Sequence, residues 1–190
     1  KSSRNVSPKQ FTNGLPGEAK EVVLELKLIA DIGLVGLPNT GKSSLLNYLT
    51  NAKSKVSNYQ FTTLEPHLGV YKNLILADIP GIIEGASTGK GLGIKFLRHI
   101  ERTKIMFHLI SLDSSDFVND YNIIRKELES YNKLLTQKPE YIIATKSDLV
   151  DNNIISKFKN KFKDSIVISI YDKNEELFSL LAKISKDKNV

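Results

Sequence analysis

The chain has 190 residues, 41% hydrophobic and 25% charged, with a net charge of +6 and no cysteine. That length is one domain's worth with a substantial core, and the missing thiols exclude disulfides and cysteine-based zinc or thiol chemistry. A reducing, cytoplasmic setting is compatible with the lack of cysteine and is the expectation; separately, no apolar run reaches the length of a membrane span and no signal-peptide layout opens the chain.

Residues 1–20 are polar and turn-rich, with Asn13-Gly14 and Pro16-Gly17, and read as a linker or the frayed edge of a further element. From Val22 an apolar pattern runs to Val35, one long strand or two joined strands. It ends in Gly36-Leu37-Pro38-Asn39-Thr40-Gly41-Lys42-Ser43, which fits G-x-x-x-x-G-K-[ST] between a strand and a helix predicted to end near Asn51. The glycines let the backbone wrap closely around phosphate oxygens. Successive N–H groups and the positive end of the helix then face the negative charge. Lys42 adds a point charge for the outer phosphates, and the Ser43 hydroxyl can ligate Mg²⁺. A glycine turn capping an ordinary helix uses similar letters, but the strand–loop–helix setting favours phosphate.

Residues 52–66 form a loop rich in Ser, Asn and Thr. A hydroxyl from Thr62 or Thr63 can complete Mg²⁺ coordination only when a γ-phosphate draws the loop inward, which is the physical basis of a switch. A hairpin follows, His67 to Tyr71 and Leu74 to Asp78 about a turn at Lys72-Asn73. Asp78-Ile79-Pro80-Gly81 closes it: the carboxylate can hold Mg²⁺ through a water, and the Gly81 N–H can approach a γ-phosphate. Gly81 to Gly93 carries five glycines and suits a mobile segment. Leu92, Phe96 and Ile100 then predict a helix bearing Lys90, Lys95, Arg98, Arg102 and Lys104 against Glu101 alone. That basic helix is either a solvated face or a surface for RNA or an acidic partner.

Ile105 to Leu112 reads as a buried parallel strand. Phe117, Tyr121, Ile124, Leu128, Tyr131 and Leu135 mark one long amphipathic helix, and Tyr141 to Ala144 another strand. Ile154, Ile155, Phe158 and Phe162 mark a helix ringed by lysines, Ile166 to Ile170 a strand, and Leu177, Leu180, Leu181 and Ile184 a last helix. The expected fold is α/β, a mostly parallel six-stranded sheet flanked by helices on both faces, of the P-loop NTPase, small-GTPase-like class. Ligands bind such sheets at the strands' carboxyl ends. The phosphate loop, Asp78, Asp113 and Thr145-Lys146-Ser147-Asp148 all lie there.

Thr145-Lys146-Ser147-Asp148 decides the base. A carboxylate only accepts, so Asp148 pairs with the N1–H and exocyclic amine of guanine, where adenine presents an acceptor at N1. Leaving that carboxylate desolvated against adenine costs a few kcal/mol. The apolar Lys146 stem can lie along the base plane.

These residues carry a resemblance. Asp31 through Asn39, Phe61-Thr62-Thr63-Leu64-Glu65-Pro66 and Asp78 through Ala86 resemble the guanine-nucleotide domain of the bacterial Obg family. Gly91-Leu92-Gly93 and Phe96 through Arg102 extend the match over roughly residues 20–150. The resemblance implies a guanine-nucleotide domain over 29–187. It also implies that residues 1–28 are a linker and the trailing edge of a preceding Obg-type domain. It further implies direct Mg²⁺ ligation by Ser43 and Thr63, a first switch over Phe61 to Glu65, and contact of Asp78 to Gly81 with γ-phosphate and metal. Thr145 to Asp148 would read guanine, with Ser169-Ile170-Tyr171 closing over its edge. The family implies a slow GTP-hydrolysing switch in large ribosomal subunit assembly and growth and stress control. Partners would be GTP, GDP and the ribosome, with guanosine tetraphosphate a further candidate, and the chain a monomer. Three departures stand out: Gln60 for the usual proline, Thr145 for the usual asparagine, and Ser169-Ile170-Tyr171 for a small Ser-Ala pair.

Ile82 occupies the place where many small GTPases have a water-orienting glutamine, so intrinsic hydrolysis should be slow. Lys42, Thr63, Gly81 and Asn39 are the groups expected to act on the reacting phosphate. Asn39 has two readings, a turn residue after Pro38 or a ligand holding K⁺ against the phosphates. Two alternatives stand beside the hydrolase: a nucleotide-gated ribosome-docking module with incidental hydrolysis, and an ATP-using kinase or motor, for which Asp148 would be accidental.

Overall fold

A computed structural model describes residues 14, 17–21, 30–50, 67–79 and 99–188. Within them lie β1 (Ala30–Val35), α1 (Lys42–Thr50), β2 (His67–Tyr71), β3 (Leu74–Asp78), β4 (Thr103–Ser111), α2 (Phe117–Tyr131), β5 (Glu140–Thr145), α3 (Asn152–Lys161), β6 (Ile166–Val167) and α4 (Glu175–Asp187). Short 3₁₀ turns at Lys133–Gln137 and Ser147–Leu149 flank β5.

The strands form one six-stranded sheet in the order β2-β3-β1-β4-β5-β6. Every pair is parallel except the β2–β3 hairpin, whose register Tyr71↔Leu74 places the turn at Lys72-Asn73. All six residues of β1 are buried, as befits a strand with parallel neighbours on both sides and helices on both faces. On one face Leu45, Leu46 and Leu49 of α1 and Leu177, Leu181 and Ile184 of α4 pack against Ile32, Leu34 and Phe107. On the other, Ile124 and Leu128 of α2 pack with Val35 and Met106, and Phe158 of α3 with Ile110 and Ala144. The α/β class, the six strands and the two-sided cover match the sequence expectation.

Three expectations need correction. The long helix through Leu135 breaks at Asn132, whose extended backbone (φ −159°, ψ 115°) and side-chain bond to the Leu134 N–H start a separate 3₁₀ turn carrying Leu135. Lys104 lies on no basic helix: the chain enters β4 at Thr103, paired with Ala30, while Lys90, Lys95 and Arg98 fall outside the described residues. The strand expected to reach Ile170 spans only Ile166–Val167. The Ile168 N–H still bonds the Ala144 carbonyl, but Ser169 turns away, its carbonyl accepting from the Asp172 N–H. That early exit swings Ile170 and Tyr171 toward the carboxyl end of the sheet. Among the described residues no helix is long and apolar enough to cross a membrane.

Candidate functional site

The loop between β1 and α1 is built on positions where a side chain would collide or strain. A Cβ on Gly36 would sit 2.5 Å from the Leu109 carbonyl oxygen, and Gly41 holds φ +86°, a conformation that favours glycine. Thr40 is buried and closes the turn, its hydroxyl and its N–H both donating to the Leu37 carbonyl. The Leu45 N–H bonds the Gly41 carbonyl as the first turn of α1. The amides of Lys42, Ser43 and Ser44 precede that bond, so they are unsatisfied helix-start donors of the kind that bind anions.

Lys42 is buried, and its ammonium donates to the carbonyls of Gly36 (3.1 Å) and Leu37 (2.9 Å). An ammonium has three donors, so one is left for a phosphate oxygen. Burial pushes the Lys42 pKa down, and the nearby Asp78 carboxylate opposes that shift. Ser43 donates its hydroxyl to Asp78 Oδ2, while Oδ1 of the same buried carboxylate has no partner. A buried carboxylate oxygen without a donor, beside a serine hydroxyl, is the hard-oxygen chemistry that suits Mg²⁺. Among the described residues no group of three or more His, Asp or Glu gathers to hold a metal. A cation here would therefore take its other ligands from phosphate, water or residues outside the described set.

Ile79 does not join this site through its side chain, which is buried in the core, or through its N–H, which bonds the Leu34 carbonyl. Phe61, Thr62, Thr63, Leu64, Glu65, Pro80 and Gly81 lie outside the described residues. Pro38 and Asn39 sit exposed at the lip of the phosphate loop. Asn39 is left-handed (φ 63°), which asparagine tolerates better than most residues.

Beside the loop lies a cavity of about 240 Å³ lined by Gly41, Ser44, Leu45, Thr145, Lys146, Asp148, Leu149, Ile168, Ile170 and Tyr171. Two motifs about a hundred positions apart thus share one wall. The Thr145 hydroxyl donates to the Thr40 carbonyl (2.8 Å), so a threonine at the place where the resemblance expects asparagine braces the phosphate loop. Lys146 is left-handed (φ 60°), and its ammonium pairs with Asp113 at 2.9 Å, which holds the apolar stem in place. Hydrogen bonds from Ser111 and Lys146 lower the Asp113 pKa. Asp148 is exposed at the pocket mouth, and its Oδ1 accepts from the Ser169 hydroxyl at 2.7 Å. Ser147 does not line the cavity and gives its N–H to the Ile168 carbonyl.

Of the residues lining this cavity, the sequence reading names Gly41, Thr145, Lys146, Asp148, Ile170 and Tyr171 as candidates, and Ser44, Leu45, Leu149 and Ile168 are not among its candidates. Ser44, Leu45 and Leu149 directly follow recognised motifs, and that adjacency was the available signal. Ile168 had none beyond its apolar character.

A family described as 50S ribosome-binding GTPase matches residues 31–146. GTPase Obg of Mycoplasmopsis synoviae (strain 53) is 49% identical over 97% of this chain and 45% of its own length. GTPase Obg of Pelagibacter ubique (strain HTCC1062) is 51% identical over 90% and 54%. GTPase Obg of Ehrlichia chaffeensis (strain ATCC CRL-10679 / Arkansas) is 47% identical over 100% and 58%. The chain spans about half the length of these curated relatives. The fold is shared with a tyrosine-to-alanine variant of Aquifex aeolicus Era bound to GDP·AlF₄⁻ (TM-score 0.57, 20% identity, 84% of this chain and 57% of that one). It is shared too with the G domain of T. maritima FeoB (TM-score 0.58, 22% identity, 81% and 97%). The chain belongs to the 50S ribosome-binding GTPase family, in its Obg branch.

Proposed function

We propose that the chain binds GTP and GDP with Mg²⁺, hydrolyses GTP slowly, and serves as a cytoplasmic, monomeric nucleotide switch acting on the large ribosomal subunit. The observation that carries this reading is the Thr145–Thr40 bond, which fixes the Thr145-to-Asp148 turn against the phosphate loop. One ligand can then be held at both its base and its phosphates. Gly36 to Ser43 would cradle the phosphates, with Lys42 supplying positive charge and the helix-start amides supplying hydrogen bonds. Asp148 would read the N1–H and amine of guanine.

Ser43 and Asp78 would hold Mg²⁺, joined by Thr63 of the proposed switch Phe61–Glu65. Bound there, the ion would neutralise charge on the phosphate oxygens. The Gly81 amide would meet the γ-phosphate, and guanosine tetraphosphate would fit through the same base and proximal-phosphate groups. We assign the exposed Asn39 side chain, at the lip of the loop, as a K⁺ ligand.

Calorimetry with GTP, GDP and ATP, with and without Mg²⁺, tests the reading. GTP and GDP should bind and ATP should not, with Mg²⁺ tightening GTP. ATP binding as tight as GTP would overturn it. One feature favours the docking-module alternative: Ile82 has no polar group to orient a water. Cosedimentation with large ribosomal subunits, set beside single-turnover rates, separates the two. Retention with a non-hydrolysable GTP analogue, release with GDP and negligible turnover would favour docking.

A further inference from the structure

Five large hydrophobic side chains are exposed among the described residues, and three of them, Leu149 (63%), Ile170 (39%) and Tyr171 (81%), line the same cavity. Hydrophobics exposed singly need no explanation, but a cluster at a pocket mouth marks a contact surface. A purine offers a polar edge and two flat π-faces. Asp148 matches the edge, and the Lys146 stem, pinned by Asp113, can cover one face. Tyr171 is the one aromatic ring in the lining.

The loop carrying this ring is tied down while the ring itself stays free. The Asp172 N–H closes a turn on the Ser169 carbonyl (3.1 Å). Asn174, left-handed at φ 46°, donates its side-chain amide to the carbonyls of Ser169 (2.6 Å) and Asp172 (3.0 Å) and to the Tyr48 hydroxyl (3.2 Å). The Tyr48 hydroxyl in turn donates to the Asp172 carbonyl (2.7 Å). Tyr48 stands on α1, the helix whose first turn completes the phosphate loop. The loop is therefore fastened to the same helix that would hold the phosphates.

We propose that Tyr171 is the second plate of the base site, stacking on the guanine face opposite the Lys146 stem. Tyr48 and Asn174 act as positioning residues that hold the plate in register with the phosphate loop. This inference rests on the guanine-nucleotide reading above.

The chain contains no tryptophan, so Tyr171→Trp places a single indole at the pocket mouth. Calorimetry of the unmodified chain with GDP and Mg²⁺ is the reference, and if it shows no binding the guanine reading itself fails. If it binds, Tyr171→Ala should weaken GDP about 5- to 100-fold, Tyr171→Phe should bind within about twofold, and Tyr171→Trp should lose emission on GDP addition. Unchanged GDP affinity in Tyr171→Ala overturns the plate, whatever the indole does. Because Tyr171 is 81% exposed, its loss leaves no cavity in the core. Tyr48→Phe removes both hydroxyl bonds, and combined with Tyr171→Trp it should reduce the quench at saturating GDP. An unchanged quench amplitude removes the clamp from the proposal.

Discussion

Thr145 and Thr40, 105 positions apart, share a 2.8 Å hydrogen bond from the hydroxyl of one to the carbonyl of the other, a direct tie between the end of β5 and the phosphate loop. Both residues are buried, so removing the donor strands a carbonyl that water cannot reach. Such a loss costs about 1–3 kcal/mol. Thr145→Val keeps the shape and deletes the donor. It should weaken GDP binding about tenfold, while Thr145→Asn, which restores a donor, should bind at least as well as the unmodified chain. Equal GDP affinity in Thr145→Val, measured by calorimetry, would show that the tie has no bearing on the ligand.

Asp148 Oδ1 is already engaged by the Ser169 hydroxyl, which leaves the other oxygen and a shared lone pair for a ligand edge. Replacing the carboxylate with an amide puts a donor where guanine's amine also donates. Asp148→Asn should lower GTP affinity at least 100-fold and raise that for xanthosine triphosphate, whose ring carries a carbonyl in place of the amine. Competition against labelled GDP reads both changes. Unchanged selectivity would remove Asp148 from the base site.

Much of this was legible in the sequence because it depends on local pattern. The hairpin turn at Lys72-Asn73 and the strand–loop–helix around Gly36 to Ser43 follow from apolar alternation and turn residues, and both stand where expected. What stayed hidden depends on distant partners. Tyr48 meets the loop around Asp172 across 124 positions, and nothing in either stretch announces it. The early end of β6 is equally non-local, since Ser169 leaves the strand line to bond Asp148. The Leu135 error had a local cause, because helical spacing continued past Asn132 although the backbone did not.

Ser43 and Asp78 should together set the Mg²⁺ dependence. The unpartnered Asp78 Oδ1 is the acceptor a cation would satisfy, while Ser43 occupies Oδ2. In the unmodified chain Mg²⁺ should tighten GTP, and in Ser43→Ala or Asp78→Asn the GTP affinities with and without Mg²⁺ should converge to within about threefold. GDP binding in the absence of Mg²⁺ reports whether the variants still fold around the phosphate loop. A full Mg²⁺ response in Asp78→Asn would move the metal elsewhere.

Hydrolysis by the purified chain should run below about one turnover per minute, the low end for unassisted GTPases, because Ile82 has no polar group to orient a water. Replacing K⁺ with Na⁺ should slow it further, and Asn39→Asp should abolish that difference. Phosphate release over an hour in each salt measures both. Equal rates in the two salts would leave Asn39 as a turn residue, the role its left-handed backbone already explains.

Asp31 anchors the opposite end of β1, and its pH behaviour follows from its partners. Its buried carboxylate accepts from the Ile75 N–H (2.9 Å) and Lys188 (2.7 Å), with Lys104 at 3.6 Å. Burial pushes the pKa up, but the Ile75 hydrogen bond and the two lysines outweigh it, so the folded value lies below the ordinary 3.8. A carboxyl depressed on folding contributes stability above its unfolded pKa and loses it as pH falls through the folded value. The Asp31 contribution should therefore be complete at pH 7 and fade below about pH 4. Asp31→Asn should lower the Tm by about 5 °C at pH 7, and the gap to the unmodified chain should narrow as the buffer is taken toward pH 3. Thermal melts by circular dichroism across that range decide the matter, and a gap that stays constant would mean that Asp31 contributes through packing and not through its charge.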